Sequence, residues 1–248
     1  MDLVDCSIAF EKCYKIFSEK ARPHGEAIVC EINKVLKKQG HNCVGCNLSD
    51  RTEKIDRFLQ RHQDLIDSQH DVETYMMELY LFVERMEMLI GIMGVPDVYV
   101  KKRFPILGRI KRCANFIKHP DAFVLTHHPK YTMDGFDRPA DSKIIIDEVF
   151  IGKYYSNSNP ERKKELAKML LNKSKVLVVW PDIVDYTDQL CDAFVGFTNL
   201  VLNNEVYRDI LEDKATIVAY FENGPDRSMA DSTHKRNREV IGLIAQRW

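Results

Sequence analysis

The chain has 248 residues, of which 45% are hydrophobic and 29% are charged, and its formal net charge is −1. These proportions exclude a disordered chain, a collagen-like repeat and a coiled-coil rod, and they allow one large domain or two small ones. The near-zero net charge also argues against a protein that coats nucleic acid over its whole surface.

The N-terminus and the cysteines indicate the compartment. Residues 1–6 lack the basic and apolar regions of a secretory signal, and charged residues interrupt the most apolar stretch, Leu79–Met93. Seven cysteines, an odd number, fit free thiols in a reducing environment. We therefore expect a cytoplasmic protein that does not enter the membrane.

Residues 1–138 are predicted to form a helical bundle, because apolar residues recur there at helical spacing. The predicted helices are one before Pro23, one from Ile28 to a stop at Gly40, one capped by Ser49, the longest from about Asp71 to Gly94, and one from Pro105 to Lys118.

The pattern changes after the turn-rich segment 134–139. Residues 139–222 predict a small α/β region with three strands, Lys143–Phe150, Lys175–Trp180 and Ala215–Phe221, and with helices between them. Residues 223–248 predict a polar loop followed by a short basic helix. The predicted fold class is α+β and mainly α.

Positive charge is concentrated between Val98 and His119, a stretch without Asp or Glu. Such a run is typical of a surface that binds the phosphates of nucleic acid. The predicted nucleic-acid-binding residues are Lys101, Lys102, Arg103, Arg109, Lys111 and Lys118.

Arg112, Asn115 and His119 fall within about 60° of one another on the predicted helix. An imidazole moves protons near neutral pH, and a guanidinium holds a phosphate through paired hydrogen bonds. RNA supplies its own nucleophile in the 2′-hydroxyl group. These three residues therefore predict a catalytic site for RNA cleavage that needs no metal and no cofactor.

The segment Arg112-Cys113-Ala114-Asn115-Phe116-Ile117-Lys118-His119, late in a helical bundle, resembles the Arg-x4–6-His motif of HEPN-domain proteins. The resemblance covers about residues 50–129. It implies a metal-independent endoribonuclease, a homodimer whose two motifs form one composite site, and a toxin or anti-phage defence setting with an antitoxin or defence-system partner. It also implies that Arg112 binds the phosphate and His119 acts as acid or base. The family usually has a polar residue after the arginine, where this chain has Cys113; Asn115 is the candidate substitute.

Several alternatives stay open at this point. His127 and His128 are expected to support His119, although together with His119, Asp134 and Asp137 they could also form a metal cluster. Cys43 and Cys46 have the spacing of half a zinc site, and free thiols are the simpler interpretation. The rival function is a non-catalytic HEPN-like interaction or sensor module that binds RNA, a ligand or a partner protein.

Overall fold

A computed structural model of the chain describes residues 3–16, 44–61, 69–118, 130–133, 144–156, 161 and 176–223. Helices dominate these ranges, which confirms the prediction of a mainly α protein. The helices are α1 (Leu3–Ile16), α2 (Val44–Arg61), α3 (Gln69–Ile92), α4 (Asp97–Arg103), α5 (Pro105–Lys118), α6 (Glu148–Ser156), α7 (Ile183–Leu202), α8 (Glu205–Glu212) and α9 (Lys214–Asn223). None of these helices combines the length and apolar character that a membrane span requires.

The longest helix, α3, ends as the sequence predicts. Gly94 has a φ of 66°, which a residue without a side chain adopts readily. The backbone N–H of Val95 donates to the carbonyl of Ile90, and that of Gly94 donates to Gly91. These bonds satisfy carbonyls at the helix end, and Pro96 then precedes the separate short helix α4.

Three short parallel strands form a sheet: β1 (Lys130–Met133), β2 (Ile144–Ile146) and β3 (Val176–Trp180). The strand order is β1-β3-β2, with Lys130 opposite Leu177 and Ile144 opposite Val176. Because β3 lies between the other two, both of its edges are paired within the described part of the chain.

The predicted three-stranded region is wrong in its composition. The segment Ala215–Phe221, predicted as a strand, is helical and lies in α9. The first predicted strand, Lys143–Phe150, is a strand only at Ile144–Ile146, and α6 begins at Glu148. Periodicity does not distinguish a short apolar run in a strand from one in a helix, and an Asp before each of these helices caps it.

Two other boundaries differ from the predictions. Helix α2 begins at Val44, so Ser49 lies inside it and is not its cap. Strand β1 occupies a segment for which no strand was predicted. The predicted helix 28–40, the domain boundary at residue 138 and the basic C-terminal helix lie outside the described residues and stay predictions.

The chain divides into two compact units, the first comprising residues 1–12, 51–83 and 104–193. Its core contains Phe10 against Phe82, with ring centroids 5.6 Å apart, and Phe116 against Trp180 at 6.0 Å. The hydroxyl groups of Tyr75 and Thr187, both buried, are hydrogen-bonded at 2.6 Å. These contacts join α1, α3, α5, β3 and α7 within the unit.

The second unit comprises residues 13–50, 84–103 and 194–248. Phe194 and Phe197 stack with ring centroids 6.5 Å apart, and Tyr207, Leu211 and Ile217 are buried. Asn204 caps α8 by accepting from the backbone N–H of Tyr207, so this unit has its own apolar core and its own capped helices.

Candidate functional site

Helix α5 positions two of the predicted catalytic residues. Its apolar side packs into the first unit through six buried residues: Ile106, Leu107, Ile110, Cys113, Ala114 and Phe116. Arg112 and Asn115 are partly exposed, and three residues separate them along the chain. They therefore share the more open side of the helix, about 60° apart around its axis.

Two glycines border the side chain of Arg112. A methyl group added to Gly108, one turn earlier on α5, would lie 3.3 Å from Nη1 of Arg112. A methyl group added to Gly152 on α6 would lie 3.9 Å from its Nε. The guanidinium thus lies back along α5 and close to α6, where the neighbouring residues have no side chains to fill the space.

No hydrogen bond or ion pair to Arg112 occurs within the described ranges. Its neighbour Glu148 is close enough for the charge of Arg112 to lower the pKa of that carboxyl group, yet the hydrogen-bonded partner of Glu148 is a different arginine. Within these ranges, no acceptor is hydrogen-bonded to the five donors of the Arg112 guanidinium.

That other arginine is Arg109. Its Nε and Nη2 donate to the two carboxylate oxygens of Glu148, the second at 2.9 Å, and its Nη1 donates to Oε1 of Gln189 at 2.7 Å. The guanidinium also lies over the ring of Tyr186, 4.7 Å from its centroid, and Nη2 is 3.8 Å from Asp185. Arg109 thus joins α5 to α6 and α7.

The pKa shifts of Glu148 and Arg109 agree with their pairing. Burial alone raises the pKa of Glu148, but the hydrogen bonds from Arg109 and the positive charges of Arg109 and Arg112 outweigh it and lower that pKa below its ordinary value near 4.5. The hydrogen bond to Glu148 raises the pKa of Arg109 further above its already high value. Both groups are therefore charged at neutral pH.

Cys113, which follows the predicted catalytic arginine, points into the core. Its side chain is buried, its Sγ is 3.6 Å from the hydroxyl oxygen of Tyr186, and burial raises its pKa to about 11. A buried neutral thiol is a poor nucleophile. Asn115 lies on the more open side of α5, and its substitution for the polar residue after the arginine stays a prediction.

The acidic residues near the strand ends have structural roles. Oδ1 of Asp147, after β2, accepts from the backbone N–H of Phe150. Oδ1 of Asp182, after β3, accepts from the N–H groups of Val184 and Asp185. Each aspartate caps the helix that follows its strand. The described residues contain no group of three candidate metal ligands.

The remaining predicted phosphate-binding residues differ in their surroundings. Lys118 lies over the ring of Tyr80, with Nζ 3.3 Å from the centroid, while Lys111 is partly exposed on α5. Three further residues are exposed on α4, which belongs to the second unit: Lys101, Lys102 and Arg103. His119, His127, His128 and Cys43 lie outside the described residues.

The sequence did not reveal the partners of Arg109. Glu148 and Gln189 are 39 and 80 residues away along the chain, and only the packing of α6 and α7 on α5 brings them together. The glycine at position 108, one turn before Arg112 on a predicted helix, was a signal that could have indicated the path of the arginine side chain.

Comparison with known proteins identifies no relative: no protein-family model, no curated protein and no solved structure matches this chain.

Proposed function

We propose that this protein is a metal-independent endoribonuclease of the HEPN type, with Arg112 binding the scissile phosphate and His119 acting as general acid or base. The proposal includes a homodimer with a composite site and a role as a toxin or defence effector that a partner protein restrains. The position of Arg112 on a helix of a mainly α protein supports the resemblance to HEPN domains. The chemistry of the groups beside it supports the proposed cleavage of RNA.

The observation that carries the proposal is the contrast between Arg109 and Arg112. The neighbouring carboxylates face Arg109, whereas Arg112 has no hydrogen-bonded acid among the described residues. A guanidinium that is partly removed from water, and that has no hydrogen-bonded anion among the described residues, favours an anion from outside. A phosphodiester presents two oxygens in the geometry that a guanidinium binds best.

Asn115 supplies the second polar group on the same side of α5. Its amide N–H can donate to a phosphate oxygen, and this bond strengthens as negative charge accumulates in the transition state. The 2′-oxygen of the RNA then attacks phosphorus, the bond to the 5′-oxygen breaks, and a 2′,3′-cyclic phosphate forms. His119 either removes the 2′ proton, with water protonating the leaving 5′-oxygen, or protonates that oxygen, with water taking the 2′ proton.

A cleavage assay in EDTA tests the proposal. Single-turnover cleavage of a labelled RNA is measured for the wild type, Arg112→Ala, His119→Ala and the control Lys54→Ala, which alters an exposed lysine on α2. We expect each of the first two substitutions to slow cleavage at least about a hundredfold, because each removes a group that acts in the transition state. Lys54→Ala should cleave at the wild-type rate.

Equal rates in all four proteins would remove Arg112 and His119 from the mechanism. If the wild-type protein binds RNA without cutting it, that result would contradict the proposed nuclease activity and favour the non-catalytic binding module.

A further inference from the structure

Helix α4 has an unusual surface for an element inside a folded unit. It contains no buried residue, the side chain of Val98 is 79% exposed, and that of Tyr99 is 39% exposed. Its last turn consists of Lys101, Lys102 and Arg103, all exposed. Two apolar side chains and three cations thus meet solvent within seven residues.

The order of these side chains around the helix axis alternates. At 100° per residue, the angular order of the side chains around the axis is Lys101, Val98, Lys102, Tyr99, Arg103, in steps of roughly 40–60°. Each apolar side chain therefore has a cation on both sides. The partly buried Val100 and the acid Asp97 occupy the rest of the circumference.

We infer that this surface of α4 binds single-stranded nucleic acid. A single strand alternates a charged phosphate with a base whose faces are open, and proteins bind it with cations for the backbone and aromatic rings for the bases. Tyr99 is the stacking residue, Val98 makes a second apolar contact, and the three cations bind the phosphates.

The alternation argues against two other anionic partners. A duplex presents phosphates but keeps its bases stacked inside, so the exposed surfaces of Val98 and Tyr99 would have no base to contact. An anionic membrane favours a helix whose apolar and charged faces are separate, and α4 has no such separation. At seven residues the helix is also only about 10 Å long.

This inference goes beyond the proposed function, since it concerns binding by the second unit and does not require cleavage. It rests on the proposed function only for the choice of RNA as the natural ligand.

The test measures binding of a strand that this chemistry cannot cut. Fluorescence anisotropy follows the full-length protein with a 2′-O-methyl oligouridine of about 12 nucleotides, within the range of site sizes known for single-strand binding. Its duplex with a complementary strand, anionic phosphatidylserine vesicles and poly-glutamate serve as competitors. The variants are Tyr99→Ala, Tyr99→Phe and the triple variant Lys101→Gln/Lys102→Gln/Arg103→Gln.

A second triple variant controls for net charge. Lys12→Gln/Lys54→Gln/Lys153→Gln removes three exposed lysines from the first unit. Circular dichroism checks that every variant is folded.

We expect Tyr99→Ala to weaken binding roughly tenfold and Tyr99→Phe to retain it, because stacking requires the ring and not the hydroxyl. The α4 triple variant should lower the slope of log affinity against log salt by about two, while the control triple variant binds nearly as the wild type does. The duplex should compete poorly.

Equal effects of the two triple variants, wild-type binding by Tyr99→Ala, or preferential binding to duplex, vesicles or poly-glutamate would overturn the inference. Binding with the expected pattern by a protein that cuts no RNA would overturn the proposed function and leave this inference standing.

Discussion

Two arginines three residues apart on α5 differ in their partners. Arg109 is held by Glu148, Gln189 and the ring of Tyr186. Arg112 has no hydrogen bond or ion pair among the described residues, and Gly108 and Gly152 border its side chain. The place of a cation in a basic run of the sequence therefore does not show whether that cation is paired within the fold. The acids that neutralise such a cation come from distant segments of the chain.

The ion pair between Arg109 and Glu148 yields a stability prediction. Glu148→Gln should lower the free energy of unfolding by about 1–2 kcal/mol at pH 7, because it weakens a bidentate, charge-assisted pair whose side chains are 26% and 30% exposed. The matched control is Glu53→Gln, which alters a pair with Arg57 whose side chains are 58% and 62% exposed. That change should cost less than about 0.5 kcal/mol. Urea denaturation measures both.

The same pair gives the sign of a pH dependence. The pKa of Glu148 is lower in the folded state than its ordinary value near 4.5. Its stabilising contribution is therefore present above that ordinary value and is lost as pH falls through the folded-state pKa. The difference in unfolding free energy between wild type and Glu148→Gln should shrink between pH 5 and more acidic solution. A difference that stays constant across that range would contradict the assigned role of the carboxylate.

At the level of the helices, substitutions of the two glycines beside Arg112 are predicted to differ in their effect on activity. Both Gly108→Ala and Gly152→Ala should stabilise the protein by up to about 1 kcal/mol, because alanine is the better residue inside a helix. Only Gly108→Ala places a methyl group, at 3.3 Å, close enough to displace the guanidinium; at Gly152 the separation of 3.9 Å is an ordinary contact.

We therefore expect RNA cleavage to fall severalfold in Gly108→Ala and to stay at the wild-type rate in Gly152→Ala. Thermal unfolding and the cleavage assay are measured on the same preparations. Equal activity of the two variants would show that the path of the Arg112 side chain does not matter for catalysis.

The helices were predictable where apolar periodicity and a stop signal agreed. Helix α5 has the predicted bounds, Pro105–Lys118, and α3 ends at Ile92, just before the predicted stop at Gly94. The segment Ala215–Phe221 was not predictable in this way, because its apolar residues fit a strand or a helix and the capping by Asp213 decides for the helix. Strand β1 was missed because its pairing with β3 depends on contacts far apart in the chain.

The site was predictable only in part. Arg112 and Asn115 share the open side of α5, which follows from their spacing alone. The burial of Cys113 also follows from the periodicity of its neighbours. The pairing of Arg109 with Glu148 does not, since it requires α6 to pack on α5, and no local pattern encodes that packing.

At the scale of the whole molecule, a net charge of −1 is the sum of unequal regions. The basic run divides into α4, whose cations are exposed in the second unit, and α5, where Arg109 is neutralised in the first. We therefore propose different roles for the two helices: α4 binds a single strand, and α5 carries Arg112 for the chemistry.

The most direct test of the central claim, cleavage of RNA by its own 2′-hydroxyl group without metal, compares two strands of one sequence. Wild-type protein in EDTA is incubated with RNA and with the 2′-O-methyl strand, and mass spectrometry identifies the ends of any fragments. We predict that only the RNA is cut and that its fragments end in 2′,3′-cyclic phosphate. Intact RNA, or equal cleavage of the methylated strand, would contradict it.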